Sequence, residues 1–316
     1  MLGYALNTLS HRSAVALMVL VTLLWSMAGI VTRQIEQAQG LELTFWRSAF
    51  NALALFLFLS WRAGGVTALC KTVRHGGALL WGSGACWALM FTAFMAALTM
   101  TTVANVLLTM ALAPLFTALL ARLLLSQSLP RRTVWAITFA VLGMAWMQAP
   151  LIWPGQAAVD LTEADGAVQH YHLMGTLVSL AVPLGGALNW VLIRRSRLKT
   201  GSGPAADLLP AVLIGALLSA VLTAAWAVPG QATPQDLAWL ALLGVFQLAL
   251  PCLLAVLVAQ QLTPTEVSLL SLLEVVFGVA WAWVGTSESP TVAVLTGGAL
   301  VLGALVFNEA WAKTER

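Results

Sequence analysis

The sequence predicts an all-α, polytopic membrane protein of ten transmembrane helices in a 5+5 inverted repeat, and three observations predict it. The first is composition. Of 316 residues, 60% are hydrophobic and 9% charged, with a mean hydropathy of +0.90. A soluble domain carries about 25% charged residues, so most of this surface faces something other than water. The second is a set of charge-free runs at 13–32, 76–121, 133–159, 173–193 and 208–235. Each reaches the ~20 residues that a helix needs to cross a bilayer. The third is an internal similarity at a shift of 161 residues.

The spans follow in order. A run as long as 76–121 would be ~69 Å as one helix, so it needs a break, and Thr99-Met100-Thr101-Thr102 is the polar place for one. The run after Asp236 breaks similarly at Thr263-Pro264-Thr265, where proline suits a helix start. The expected spans are 13–32, 43–61, 77–98, 103–125, 132–150, 174–193, 206–228, 236–259, 264–285 and 290–310. The apolar run near the N-terminus is full length and no A-x-A site follows a shortened core, so no cleaved signal peptide is expected. Cys70, Cys86 and Cys252 lack metal or CxxC spacing and read as small packing residues.

Lys and Arg orient the chain. With the N-terminus inside, cytoplasmic segments hold 12 of the 15. The outer loops hold Arg33, while Arg47 and Arg122 fall within spans. This asymmetry puts both termini on the cytoplasmic side of an inner (plasma) membrane. The net charge of +3 is therefore no nucleic-acid signal. Segment 151–172, with Asp160, Glu163 and Asp165, reads as the outer loop connecting a first five-helix repeat, 1–150, to a second, 173–316. Its His170 and His172 do not make a metal site without further ligands, and no cofactor is expected.

The repeat is clearest where Thr102 falls on Thr263, Val106 on Val267, Leu112 on Leu273 and Phe116 on Phe277; 8 of 27 residues from Thr102 to Ser128 are identical. Five spans per half is odd, so the second half inserts upside down. Inverted halves around a midplane site are a recurrent design of secondary transporters.

At TPTEVSLLSLLEVVFGVAWAWVGTSESPT, 263–291, and its counterpart TTVANVLLTMALAPLFTALLARLLLSQSLP, 101–130, the chain resembles the drug/metabolite transporter superfamily, specifically its EamA-like members. Spans 4 and 9 of that family typically read LEPVFA, with a Gly-Glu pair before the next span. Here the pattern is split. The second half keeps Glu274 but has Val275 for the proline; the first keeps Pro114 but has Ala113 for the acid. The later acid is Glu288 in one half and Gln127 in the other. The resemblance implies export or exchange of small metabolites such as amino acids, or of drugs.

Intramembrane charge marks the candidate site. Glu274 is the only charged residue from Val267 to Gly285 and lies ~15 Å into span 9, near the midplane. A charge at that depth costs about 2.5–3.5 kcal/mol and persists where it faces a bundle interior or wet cavity. Three roles stay open: a structural hydrogen bond, a proton carrier, or a direct substrate contact. Arg47 sits one turn inside the outer end of span 2 with Asn51 at i+4. It either snorkels to the headgroups or forms, with that amide, a cradle for a carboxylate or phosphate. Arg122 reads as a snorkelling anchor. Ser26, Thr109, Asn189 and Gln247 lie at similar depth, and Asn105 is level with Arg47. Membrane amides also serve simply to bridge helices. Trp25 and Trp190 are internal and either line a cavity or pack the bundle, whereas Trp61 and Trp311 fit interfacial belts. Gly185-Gly186 suits a close helix approach or a flexing point in span 6.

No Walker A or H-E-x-x-H motif is present, and GTSES lacks the final glycine of G-x-S-x-G. Neither an enzyme nor an ATP-driven pump is expected. The reading is a secondary carrier of a small polar metabolite, with Arg47 suited to a carboxylate, Glu274 to an ammonium, and protons as the coupling ion. Glu274, Arg47, Asn51, Asn105, Asn189, Gln247, Trp25 and Ser26 line or support its path. The alternative is a non-transporting membrane scaffold or sensor.

Overall fold

The computed structural model describes residues 10–314 apart from 33, 39, 101–105, 107–108, 111, 127–129, 153–173, 176, 201–206, 228–229 and 286–291. Asn105, Arg33, Gln127, Glu288 and the two loop histidines lie outside the described residues. Among those described, every regular element is a helix. They are α1 His11–Thr32, α2 Gly40–Ala63, α3 Val66–His75, α4 Gly77–Met100, α5 Ala113–Leu125, α6 Arg131–Ile152, α7 Ala181–Thr200, α8 Leu209–Thr223, α9 Pro234–Val258, α10 Pro264–Ser271, α11 Leu273–Gly285 and α12 Val292–Thr314. Six helices are long and apolar enough to cross a membrane by length and composition: His11–Thr32, Gly40–Ala63, Gly77–Ala97, Leu177–Leu198, Leu209–Trp226 and Pro234–Val258. Large apolar side chains such as Leu53, Leu57, Leu123, Val221 and Val306 point outwards, as on helices that face lipid.

The ten expected spans are not ten uninterrupted helices. Span 9 divides at Leu272 into α10 and α11. The Ser271 hydroxyl takes the Val267 carbonyl (2.8 Å), and Leu272 and Val275 donate three residues back, to Leu269 and Leu272 (both 3.1 Å). That tightens one turn and bends the helix. The described part of span 4 turns at the matching level, Leu112 donating to Thr109 (3.1 Å) ahead of α5. There Pro114 has no N–H to continue the ladder. Span 8 stays continuous but widens to a π-helix over Leu243–Ala249. Pro251 lies just downstream and offers no donor to the Gln247 carbonyl. Span 1 kinks at Met27.

Helix α3 lies between expected spans 2 and 3. It is set off by Gly64 (φ +81°), Gly65 (φ +136°) and Gly77 (φ +66°), a backbone region that side chains with a Cβ avoid. Only its Leu69 is buried, and Cys70, expected as a packing residue, is exposed on it, unlike Cys86 and Cys252. Helix α6 runs to Ile152, two residues past the expected end of span 5.

Helices α6 and α12 pack chiefly on each other, with a Trp146–Thr296 bond of 2.8 Å. The rest form the main bundle. At its densest crossing a Cβ on Gly84 would lie 2.6 Å from Ile214 Cγ2, and one on Gly215 would meet Trp87 Cβ and stand 3.0 Å from the Ala88 nitrogen. Backbones approach this closely only through small residues. Ser219 on α8 also links Ser48 of α2 (3.1 Å) to Thr92 of α4 (3.0 Å).

Gly215→Ala should therefore destabilise the bundle by about 1–3 kcal/mol through overpacking, and Gly303→Ala, where a Cβ meets nothing within 4 Å, should not. Thermal unfolding of the two variants in the same detergent checks this.

Candidate functional site

The backbone irregularities converge on one cavity of about 150 Å3. Its wall takes Trp25 and Ala28 from α1, Arg47 from α2, Trp87, Met90, Phe91 and Phe94 from α4, and Val182, Pro183, Gly186 and Trp190 from α7. Gln247, Leu248 and Cys252 come from α9, and Ser268, Ser271, Leu272, Glu274 and Val275 from the broken span 9. Met110 and Ala113 come from the first-half break, so the repeat-related positions 113 and 274 reach the same cavity. An engineered apolar cavity of about this volume takes up benzene, which gives the scale of the space.

Sequence-predicted residues fall into two groups. Trp25, Arg47, Gln247 and Glu274 meet around the cavity. Glu274 is half-buried in the first turn of α11, placed there by the break at Leu272. Arg47 is 5% exposed and its Nε has no partner. The two interact electrostatically but form no ion pair; among the described residues the ion pair is Arg62–Asp207 at 2.9 Å. Gln247 donates Nε2 to the Trp25 carbonyl (3.1 Å), tying the π-segment to the kinked helix. A buried charge without an ion-pair partner costs several kcal/mol, and Arg47 is such a charge.

The others sit behind the wall. Asn51 is fully buried one turn beyond Arg47, with neither side-chain atom partnered. Asn189 accepts from the Ser83 hydroxyl (2.6 Å), a bridge between α7 and α4. Ser26 accepts from Trp281 Nε1 (3.0 Å) and donates to the Leu23 carbonyl (2.7 Å). Thr109 pairs with Ser179 at 2.7 Å. Gly185 and Gly186 let α7 approach α4, where a Cβ would stand 3.3 Å from Leu89, Met90 and their neighbours. Arg122 is exposed in the last turn of α5, as a headgroup anchor would be.

Sequence reasoning missed the aromatic wall of α4. Trp87 stacks near Phe91 (5.5 Å) and meets Trp190 edge-on (5.7 Å, 86°). The i, i+4 spacing of Trp87 and Phe91 was its only local trace; contact with Trp190 was not visible. Such a wall binds apolar surface and, through its faces, cations.

The EamA-like transporter family model matches residues 12–148 and again 173–309. The two segments start 161 residues apart, the same offset as the internal similarity. No curated protein matches the chain. A solved structure described only as "Crystal structure of protein" is 17% identical, covers 97% of this chain and 100% of its own, and superposes with a TM-score of 0.74. At that identity the likeness speaks for the fold alone. The family match sets aside the scaffold alternative and agrees with a multi-pass membrane protein that handles a small-molecule substrate. With nearly its whole length matched in two copies, the chain belongs to the EamA-like transporter family, membrane transporters of the drug/metabolite transporter superfamily.

Proposed function

We propose that this protein is a secondary carrier of the inner membrane that exports or exchanges a small polar metabolite, an amino acid or close relative, by alternating access coupled to protons. Its ten spans form two inverted halves, 1–150 and 173–316, joined by an outer segment, with both termini cytoplasmic.

One observation carries the reading: Arg47 and Glu274, opposite in charge and forming no ion pair with each other, line the same cavity. A zwitterion supplies both missing partners, its carboxylate at Arg47 and its ammonium at Glu274. The cavity volume of about 150 Å3 suits a guest with few heavy atoms beside those two groups. The aromatic wall supplies apolar contact for the remainder and lowers the cost of leaving water. A glutamate in such a place also carries a proton. One carboxylate does not hold a proton and a substrate ammonium at once, so each displaces the other, which is the logic of antiport.

Two outcomes test this. Arg47→Gln should weaken binding of the transported amino acid about 10–100-fold, the loss of a charge-assisted bond of about 1.5–3 kcal/mol. Ligand-induced thermal stabilisation, screened across a metabolite panel, reads it directly. Substrate added to purified wild type in weak buffer should release protons to a pH dye, and Glu274→Gln should release none. If Glu274→Gln keeps the wild-type pH dependence of transport in proteoliposomes, the coupling role is gone while the carrier reading stands.

A further inference from the structure

The α2–α9 contact carries two features that the cavity does not explain. At one end of the bundle, two buried carboxylates clasp each other's approach strands. Glu42, in the first turn of α2 and 5% exposed, accepts from Gln231 N (2.9 Å) and Ala232 N (3.0 Å), the chain entering α9. Asp236, in the first turn of α9 and 2% exposed, accepts from Glu36 N (3.0 Å), Gln37 N (3.2 Å) and Ala38 N (3.3 Å), the chain entering α2. Gly230 keeps this clasp compact, since a Cβ there would stand 2.8 Å from Glu42 Oε1.

Below the clasp the seam is polar. Thr44 Oγ1, Arg47 Nε, and Asn51 Nδ2 and Oδ1 on α2 are buried without partners, and so is Gln247 Oε1 on the π-segment of α9. The two helices press together here. A Cβ on Gly244 would lie 2.7 Å from the Arg47 carbonyl oxygen and 2.8 Å from the Asn51 nitrogen. Arg47 and Gln247 also line the cavity, so the seam runs from the cavity to the clasp.

We infer that the α2–α9 seam is the substrate's route to the outer face and that Glu42 and Asp236 are its latch. This row of buried polar atoms has no partner within the protein, and a polar substrate or water passing along an opened seam would meet them. The carboxylate-to-backbone bonds hold the seam shut against that gain. Because both clasps are side chain to loop backbone at the end of the bundle, water replaces them without unfolding a helix. The π-segment gives α9 the irregular turn about which such an opening swings. The inference rests on the carrier reading and on the orientation set by the Lys and Arg distribution, but its test needs no substrate.

The native Cys252 in the cavity wall is the reporter, in a Cys70→Ser/Cys86→Ala background, in vesicles of known sidedness. A membrane-impermeant maleimide is added to one face at a time and Cys252 labelling is read by mass spectrometry. Glu42→Gln/Asp236→Asn should raise labelling from the outer face about tenfold, with no rise from the inner face. Ser271→Cys, on the opposite wall, should report the same change. A cleavable cross-link between Gln37→Cys and Gln235→Cys, placed across the clasp, should abolish outer-face labelling, and cleavage should restore it. Unchanged labelling in a folded latch variant, or outer-face access that survives the cross-link, overturns the route. If the latch variant does not fold, the cross-link alone decides.

Discussion

In a bilayer every backbone N–H and C=O must be satisfied within the protein, and this constraint organises the rest of the structure. It makes every described element a helix, and it confines departures from the helix to places that protein or cavity can cover. The kink at Met27, the turn at Leu112, the π-segment at Leu243–Ala249 and the break at Leu272 all fall beside cavity-lining residues. These four irregular turns gather around the cavity where Arg47, Gln247 and Glu274 meet.

The two halves share a plan but not a chemistry. At the repeat offset, Glu274 answers to Ala113, Arg47 to Leu208 and Asn51 to Val212. Charge and amide therefore sit in one copy of each related pair, which gives the cavity a cationic side and an anionic side. The inter-half contacts differ in the same way. The α4–α8 crossing is glycine-packed with backbone against side chain, through Gly84 and Gly215. Its repeat counterpart, α2–α9, is polar, leaves buried atoms unpartnered and depends on two carboxylates at its end. The opposite end is held instead by the exposed Arg62–Asp207 pair (2.9 Å) and by Arg194 donating to the Gln260 carbonyl (3.1 Å). Exposed pairs contribute little, up to about 1 kcal/mol.

Much of this was legible in the residues. Charge-free length marked the spans, because bilayer thickness converts directly into residue count. A constant offset between Thr102–Ser128 and its counterpart revealed the duplication, and the family match repeats that offset. Glu274 and Arg47 stood out because charge at membrane depth is costly wherever it is not used. The same reasoning set Asn189, Asn51 and Ser26 beside them, as residues that line or support the path, and the structure places these three off the cavity wall. An amide on the correct level faces the cavity or a neighbouring helix according to rotation, which no hydropathy pattern records. Asn189 turned to Ser83 and Ser26 to Trp281.

What the sequence by itself determined, then, is the membrane class, the duplicated plan and the two charges, since each follows from local composition or from comparing the chain with itself. Tertiary structure alone decided which residues share the cavity, where spans 4, 8 and 9 depart from the helix, and that Glu42 and Asp236 hold loop backbone 189 and 200 residues away. The physical reason is that these are contacts between helices. Their partners depend on how each helix is rotated against its neighbours, and packing sets that rotation after the spans are already formed.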